Sequence, residues 1–138
     1  MPSILWPLLA QIGWTMFLYA WLTVARKRAV DRGEVDYSAF LLGRSEPLEP
    51  ARIARNLSNQ FELPVIFYAV VLLLITLNQV TLFDVIAAWV FVFGRVVHSL
   101  VQSLSDNVPL RGKVFMINFV AVAALAGHVA WLALQGAH

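Results

Sequence analysis

The chain has 138 residues, 60% hydrophobic and only 13% charged, with a mean hydropathy of +0.74, a balance that excludes an ordinary soluble domain and indicates an integral membrane protein. It contains no cysteine, which excludes disulfides, thiolate metal sites and cysteine nucleophiles within the chain. The formal charge of +2 comes from basic residues that form no aromatic-interleaved patch, so membrane topology accounts for them and nucleic acid is discarded as a partner.

Four stretches are long enough to cross a hydrocarbon core of about 30 Å, which takes roughly 20 helical residues. The first, at about 4–24, is followed by Arg26, Lys27 and Arg28. It lacks a basic leading segment and a small-residue cleavage site, so it reads as a retained helix and not as a signal peptide. Residues 25–51 form the substantial polar stretch, with Asp31-Arg32-Gly33, Gly43, Pro47 and Pro50. That composition predicts a loop, with one short interfacial turn around 37–42. The second helix is expected over 52–77, where Pro64 is either a kink that frees carbonyls or a tolerated bend. A turn near Asn78-Gln79 leads to the third helix, 82–104, and Ser105 to Pro109 lead to the fourth, 114–134. No internal repeat or low-complexity segment interrupts this order. The fold class is all-α, a single domain over 1–138 forming an up-down bundle of four transmembrane helices.

Of the ten Lys and Arg residues, all but Arg95 lie in or beside the 25–55 and 105–113 stretches. The positive-inside rule then puts both of those stretches in the cytosol, and the N-terminus, the 78–81 turn and the C-terminal His138 outside. Glu62 precedes the outer end of its helix by 15 residues and Arg95 lies 13 residues into the next. At 1.5 Å per residue both sit roughly 20 Å from the outer boundary. Residues three or four apart share a helix face, so Arg52, Arg55, Asn59 and Glu62 form one polar stripe, and Arg95, His98 and Gln102 a second at the same depth. The fourth helix adds Arg111 at the entrance and Asn118 two turns deeper. Polar groups at membrane depth are expensive and turn toward one another. The expectation is a cationic cavity at the cytosolic side, in which Glu62 lies level with Arg95 and Asn59 with His98.

Arginine binds carboxylates bidentately and stays charged at any relevant pH, so the expected ligand is an anion. Glu62 either neutralises Arg95 or accepts a hydrogen bond from an ammonium or amide of that ligand. Blander readings stand beside these: Arg52 and Arg55 as snorkelling anchors, Asn59 and Glu62 as interhelical glue, Glu62 with Arg95 as a structural ion pair, and His98 as a satisfied core histidine. No second histidine lies at ligand spacing from His98, and no metal is expected. His128 and His138 are expected to be bystanders. The nearly apolar outer half, broken only by Asp84, argues against a small exporter.

The run Arg52-Ile-Ala-Arg55-Asn-Leu-Ser-Asn59-Gln-Phe-Glu62-Leu-Pro64, followed by Gly94-Arg95-Val-Val-His98 on the next helix, resembles the MAPEG superfamily, the membrane-associated proteins in eicosanoid and glutathione metabolism. The likeness covers the second to fourth helices, and length and topology agree over the whole chain. The resemblance, to a bacterial-type member, implies a multi-pass protein of the bacterial inner membrane. It further implies a homotrimer with glutathione as bound cosubstrate between protomers in the cytosolic half, and Arg52, Arg55, Asn59, Glu62, His98 and Arg111 as residues that contact or order the tripeptide. Active members place an arginine or hydroxyl near the start of the fourth helix to stabilise the glutathione thiolate, which attacks or reduces an apolar electrophile.

Departures narrow that implication. Leu57 stands where many members have histidine, Gln102 where tyrosine is common, and Gly112 and Phe115 where serine and tyrosine can occur. Arg111 is thus the surviving candidate for thiolate stabilisation, because a nearby cation lowers a thiol's pKa and thiolate is the nucleophile. The expected function is a glutathione transferase or peroxidase acting on lipophilic electrophiles. The alternative is a non-catalytic membrane protein that binds an anionic lipid or metabolite in the same basic cavity.

Overall fold

The computed structural model describes residues 3–41 and 46–136; Gly43, Leu42 at the end of the expected interfacial turn, and His138 lie outside the described residues. Six helices occur in the order α1 (Leu5–Asp31), α2 (Ser38–Leu41), α3 (Leu48–Asn59), α4 (Leu63–Thr76), α5 (Leu82–Leu104) and α6 (Val108–Leu134), and there is no strand among the described residues. Among the described residues four stretches are long and apolar enough to cross a membrane: α1, α3 with α4, α5 and α6. Many large apolar side chains face outward, Trp6, Met16, Phe93 and Val120 among them, as lipid rather than water requires.

Local chemistry sets the ends of these helices. α1 runs on from the expected end near Val24 to Asp31, where Gly33 at φ +73° closes it. The Gly33 and Glu34 N–H groups donate to the carbonyls of Val30 and Ala29 at 2.9 and 3.0 Å, the paired bonds of a Schellman stop. Asn78 at φ +56° closes α4 in the same way, its N–H and that of Gln79 donating to Ile75 and Leu74. α5 opens on a capping box between Thr81 and Asp84. α6 begins at Val108, ahead of the expected 114, because the Asn107 side chain accepts from the Leu110 N–H and Pro109 sits in the first turn, where its missing N–H costs nothing. For the same reason Pro50 starts α3 rather than preceding it: the helix begins at Leu48, with Pro47 as its N-cap.

The expected continuous helix over 52–77 is instead two helices. In an unbroken helix the Pro64 ring would meet the carbonyl of residue 60 and supply no N–H to it. The chain therefore leaves the helix at Gln60, Phe61 and Glu62, whose N–H groups turn back to Leu57, Ser58 and Asn59 at 3.0, 3.0 and 3.3 Å. Glu62 takes φ −102°, ψ −104° and becomes the N-cap of α4, with Pro64 in its first turn.

α5 and α6 form the largest helix pair; α1 packs on α3 and α5, and α4 packs on α6. Two apolar cores result. One joins all four spans at the end away from the polar stretches, around Phe67, Phe91, Val71 and Leu125, with Phe67 and Phe91 stacked at 4.4 Å between ring centroids. The other is a seam of Leu18, Leu22 and Ala25 on α1 with Ile53 and Leu57 on α3. Between the cores lies a layer of buried polar side chains, and this layer stands behind the site.

Candidate functional site

A cavity of about 390 Å³ opens beside the α3–α4 break. α3 contributes Arg55 and Asn59, the break contributes Glu62, and the start of α4 contributes Leu63. From α5 come Arg95, His98 and Gln102; from the start of α6 come Val108, Arg111, Gly112 and Phe115. The four-residue rhythm of α3 and the three- and four-residue rhythm of α5 turn these side chains to a common side. Three guanidiniums thus face a single lining carboxylate, that of Glu62. Arg95, His98 and Gln102 are buried at 2%, 7% and 5% exposure, while Arg55 and Glu62 stand exposed at the rim.

The polar pairs are arranged differently from the depth arithmetic. Asn59 donates from Nδ2 to Gln102 Oε1 at 2.6 Å, tying α3 to α5, so its partner is Gln102 rather than His98. His98 instead lies near Phe115, ring centroids 6.3 Å apart, and its Nδ1 has no partner. Among the described residues no salt bridge joins Glu62 to Arg95. Arg95 Nε and Nη2 are buried without a hydrogen-bond partner. A buried guanidinium in that condition is costly, and an anion in the cavity would relieve that cost. The structural ion pair considered from sequence is therefore replaced by a cation at the cavity floor and a carboxylate at its rim.

Two expected cavity residues stand elsewhere. Arg52 is outside the lining: its guanidinium is taken by Asp106 in the α5–α6 connection, at the polar end of the bundle. Asn118 is fully buried behind Gly94, where a Cβ added to the glycine would lie 2.0 Å from Asn118 Oδ1. Gly94 thus serves close approach of α6 to α5, and Asn118 is a contact of that crossing, with neither side-chain atom paired.

The buried layer behind the cavity escaped sequence reading. Gln60 Oε1 accepts from Gln11 Nε2 at 2.9 Å, and Asn56 Nδ2 donates to the Ser99 carbonyl and Ser103 Oγ at 3.2 and 2.9 Å. Trp14 Nε1 donates to Ser99 Oγ at 3.0 Å. The spacing carried a signal: Asn56 and Gln60, like Ser99 and Ser103, recur at four residues, one step off the stripes already noted. His128, expected to be a bystander, is another difference. Its Nδ1 lies 2.8 Å from Asp84 Oδ1, and Asp84 is fully buried, so the pair pins α5 to α6 at the end remote from the cavity. No group of three or more His, Cys, Asp or Glu side chains able to hold a metal occurs among the described residues.

Fold and site together define a four-span integral membrane protein with a cationic cavity in the polar half of its bundle. The chain belongs to the MAPEG family, whose sequence model matches residues 4–131, and is thereby a membrane protein of the superfamily associated with glutathione and eicosanoid metabolism. Comparison with curated proteins and with solved structures gives no match in either.

Proposed function

We propose that the cavity binds glutathione and that the protein is a membrane glutathione transferase or peroxidase acting on lipophilic electrophiles. One observation carries this reading: three guanidiniums, one of them buried without a partner, surround a site whose lining holds one carboxylate. Glutathione has the complementary pattern of two carboxylates and one ammonium. Arg95 and Arg55 would take the carboxylates, with charge-assisted bonds about twice as strong as neutral ones, and Glu62 would accept from the ammonium. Family membership supports the same ligand.

Arg111, at the start of α6, would hold the sulfur as thiolate, because a neighbouring cation favours the charged form. The thiolate then forms a carbon–sulfur bond with an apolar electrophile as the leaving group departs, or attacks a hydroperoxide oxygen as the O–O bond breaks. The electrophile would enter from the bilayer, the apolar Val108 and Phe115 forming that part of the wall. In this reading the protein is a homotrimer, with the polar end of each bundle in the cytosol of a bacterial inner membrane and glutathione reached from that side.

A non-catalytic role, binding an anionic lipid or metabolite, is favoured by one feature: no residue lining the cavity bears a hydroxyl. Turnover separates the two. Purified protein in nanodiscs is expected to gain melting temperature with millimolar glutathione and to conjugate it to a halodinitrobenzene, and Arg111→Ala to keep the first property and lose most of the second. Stabilisation without turnover in the parent protein would establish the binding role alone; no stabilisation would refute glutathione as the ligand.

A further inference from the structure

The α3–α4 break raises a question that Pro64 does not answer: why the chain leaves the helix where it does, with Glu62 presented at the cavity rim. The Gln60 N–H turns back to the Leu57 carbonyl, so the Asn56 carbonyl loses the partner an unbroken helix would give it. Gln60 supplies a substitute from its own side chain. Its Nε2 donates to Asn56 O at 3.1 Å, with further contacts to Asn56 Oδ1 at 3.1 Å and Ser99 Oγ at 3.3 Å. Its Oε1 faces the other way and accepts from Gln11 Nε2 at 2.9 Å. The orientation of the amide is fixed by its surroundings, because a backbone carbonyl can only accept. At 1% exposure, Gln60 has no water to fall back on, so both ends of its carboxamide are committed.

We infer, on the footing of the glutathione reading above, that Gln60 is a positioning residue. By capping the last turn of α3 and tying it to α5, it fixes the backbone from which Glu62 faces the cavity, and so sets selection for anions that also carry a free ammonium. One residue, Phe61, separates Gln60 from Glu62, and this short backbone is held by the Phe61 and Glu62 N–H bonds to Ser58 and Asn59. Releasing Gln60 lets the last turn of α3 rewind or fray, either of which moves Glu62. Arg95 stands on α5, outside the released turn, so the carboxylate end of the ligand site is less affected than the ammonium end. Gln60 itself touches no ligand.

The test compares glutathione with its analogue bearing hydrogen in place of the γ-glutamyl ammonium, by calorimetric titration of the full-length protein in nanodiscs. The parent is expected to prefer glutathione by at least about tenfold, one charge-assisted contact on the affinity scale, and Glu62→Gln to set the floor near unity. Gln60→Met, which keeps volume but no polar atoms, is expected to bring the preference to within about twofold of that floor. Gln11→Leu, which leaves the cap on Asn56 intact, is expected to lower the melting temperature and keep the preference. A merely structural role for Gln60 would weaken both ligands equally and leave their ratio alone, and that result overturns the inference. Should Gln60→Met not fold, Gln60→Asn, one methylene too short to reach both partners, is read by the same ratio. A parent protein that binds neither compound refutes the glutathione reading itself; a parent that prefers glutathione while Gln60 variants keep the ratio refutes only the role of Gln60.

Discussion

Replacing Arg95 by methionine should raise the stability of the ligand-free protein and weaken glutathione binding, two effects of opposite sign from one substitution. Arg95 is 2% exposed and its Nε and Nη2 have no partner. An unmade hydrogen bond at a buried polar group costs about 1–3 kcal/mol, and exchange of buried ionic groups for apolar ones of like volume stabilises proteins by roughly 1–4 kcal/mol. Methionine keeps the unbranched stem and good helix propensity, so a gain of about 1–4 kcal/mol is expected, seen as a rise of several degrees in melting temperature. In the complex the same nitrogens would bind a carboxylate, and bonds to charged groups contribute about 1.5–3 kcal/mol. Their loss predicts affinity lower by roughly 10- to 150-fold. Thermal melting of parent and Arg95→Met protein in nanodiscs, with and without glutathione, measures both quantities. A variant less stable than the parent, with unchanged glutathione affinity, would refute the reasoning and mark Arg95 as a structural cation with a partner of its own.

Two further outcomes test the frame around the site. Gly94→Ala should destabilise by about 1–3 kcal/mol, against the gain of up to about 1 kcal/mol that alanine brings to an open helix position, because the new Cβ meets Asn118 Oδ1 at 2.0 Å; adding Asn118→Ala should return most of the loss in chemical denaturation. His128→Phe leaves Asp84 Oδ1 buried without its 2.8 Å partner and should cost about 1–3 kcal/mol, while leaving the glutathione titration unchanged, since the pair lies at the far end of α5 and α6.

Much of the architecture was legible in the chain because a bilayer imposes rules that act on local sequence. Runs of apolar residues long enough to span hydrocarbon, turns at Asn78 and Ser105 to Asn107, and the absence of cysteine could be read without knowing a single contact. The recurrence of Arg55 with Asn59, and of Arg95 with His98 and Gln102, at helical spacing likewise placed them on common faces. Boundaries read less well. Pro50 and Pro109 look like breakers in a string of letters, yet each lies in a first turn, where proline is welcome.

The chain alone determined which side chains carry charge, which faces they share and roughly how deep they lie, since helix rise and periodicity are properties of a single segment. Partnership was decided only in the tertiary structure. Whether Asn59 meets His98 or Gln102, whether Arg52 faces the cavity or Asp106, and whether Arg95 is paired depend on side-chain reach between different helices. That reach depends on how α3 ends. The break at Gln60 to Glu62 is a settlement among Pro64, the Asn56 carbonyl and Gln11, the last of them 49 residues from Gln60 in sequence. No periodicity in one helix could have announced it.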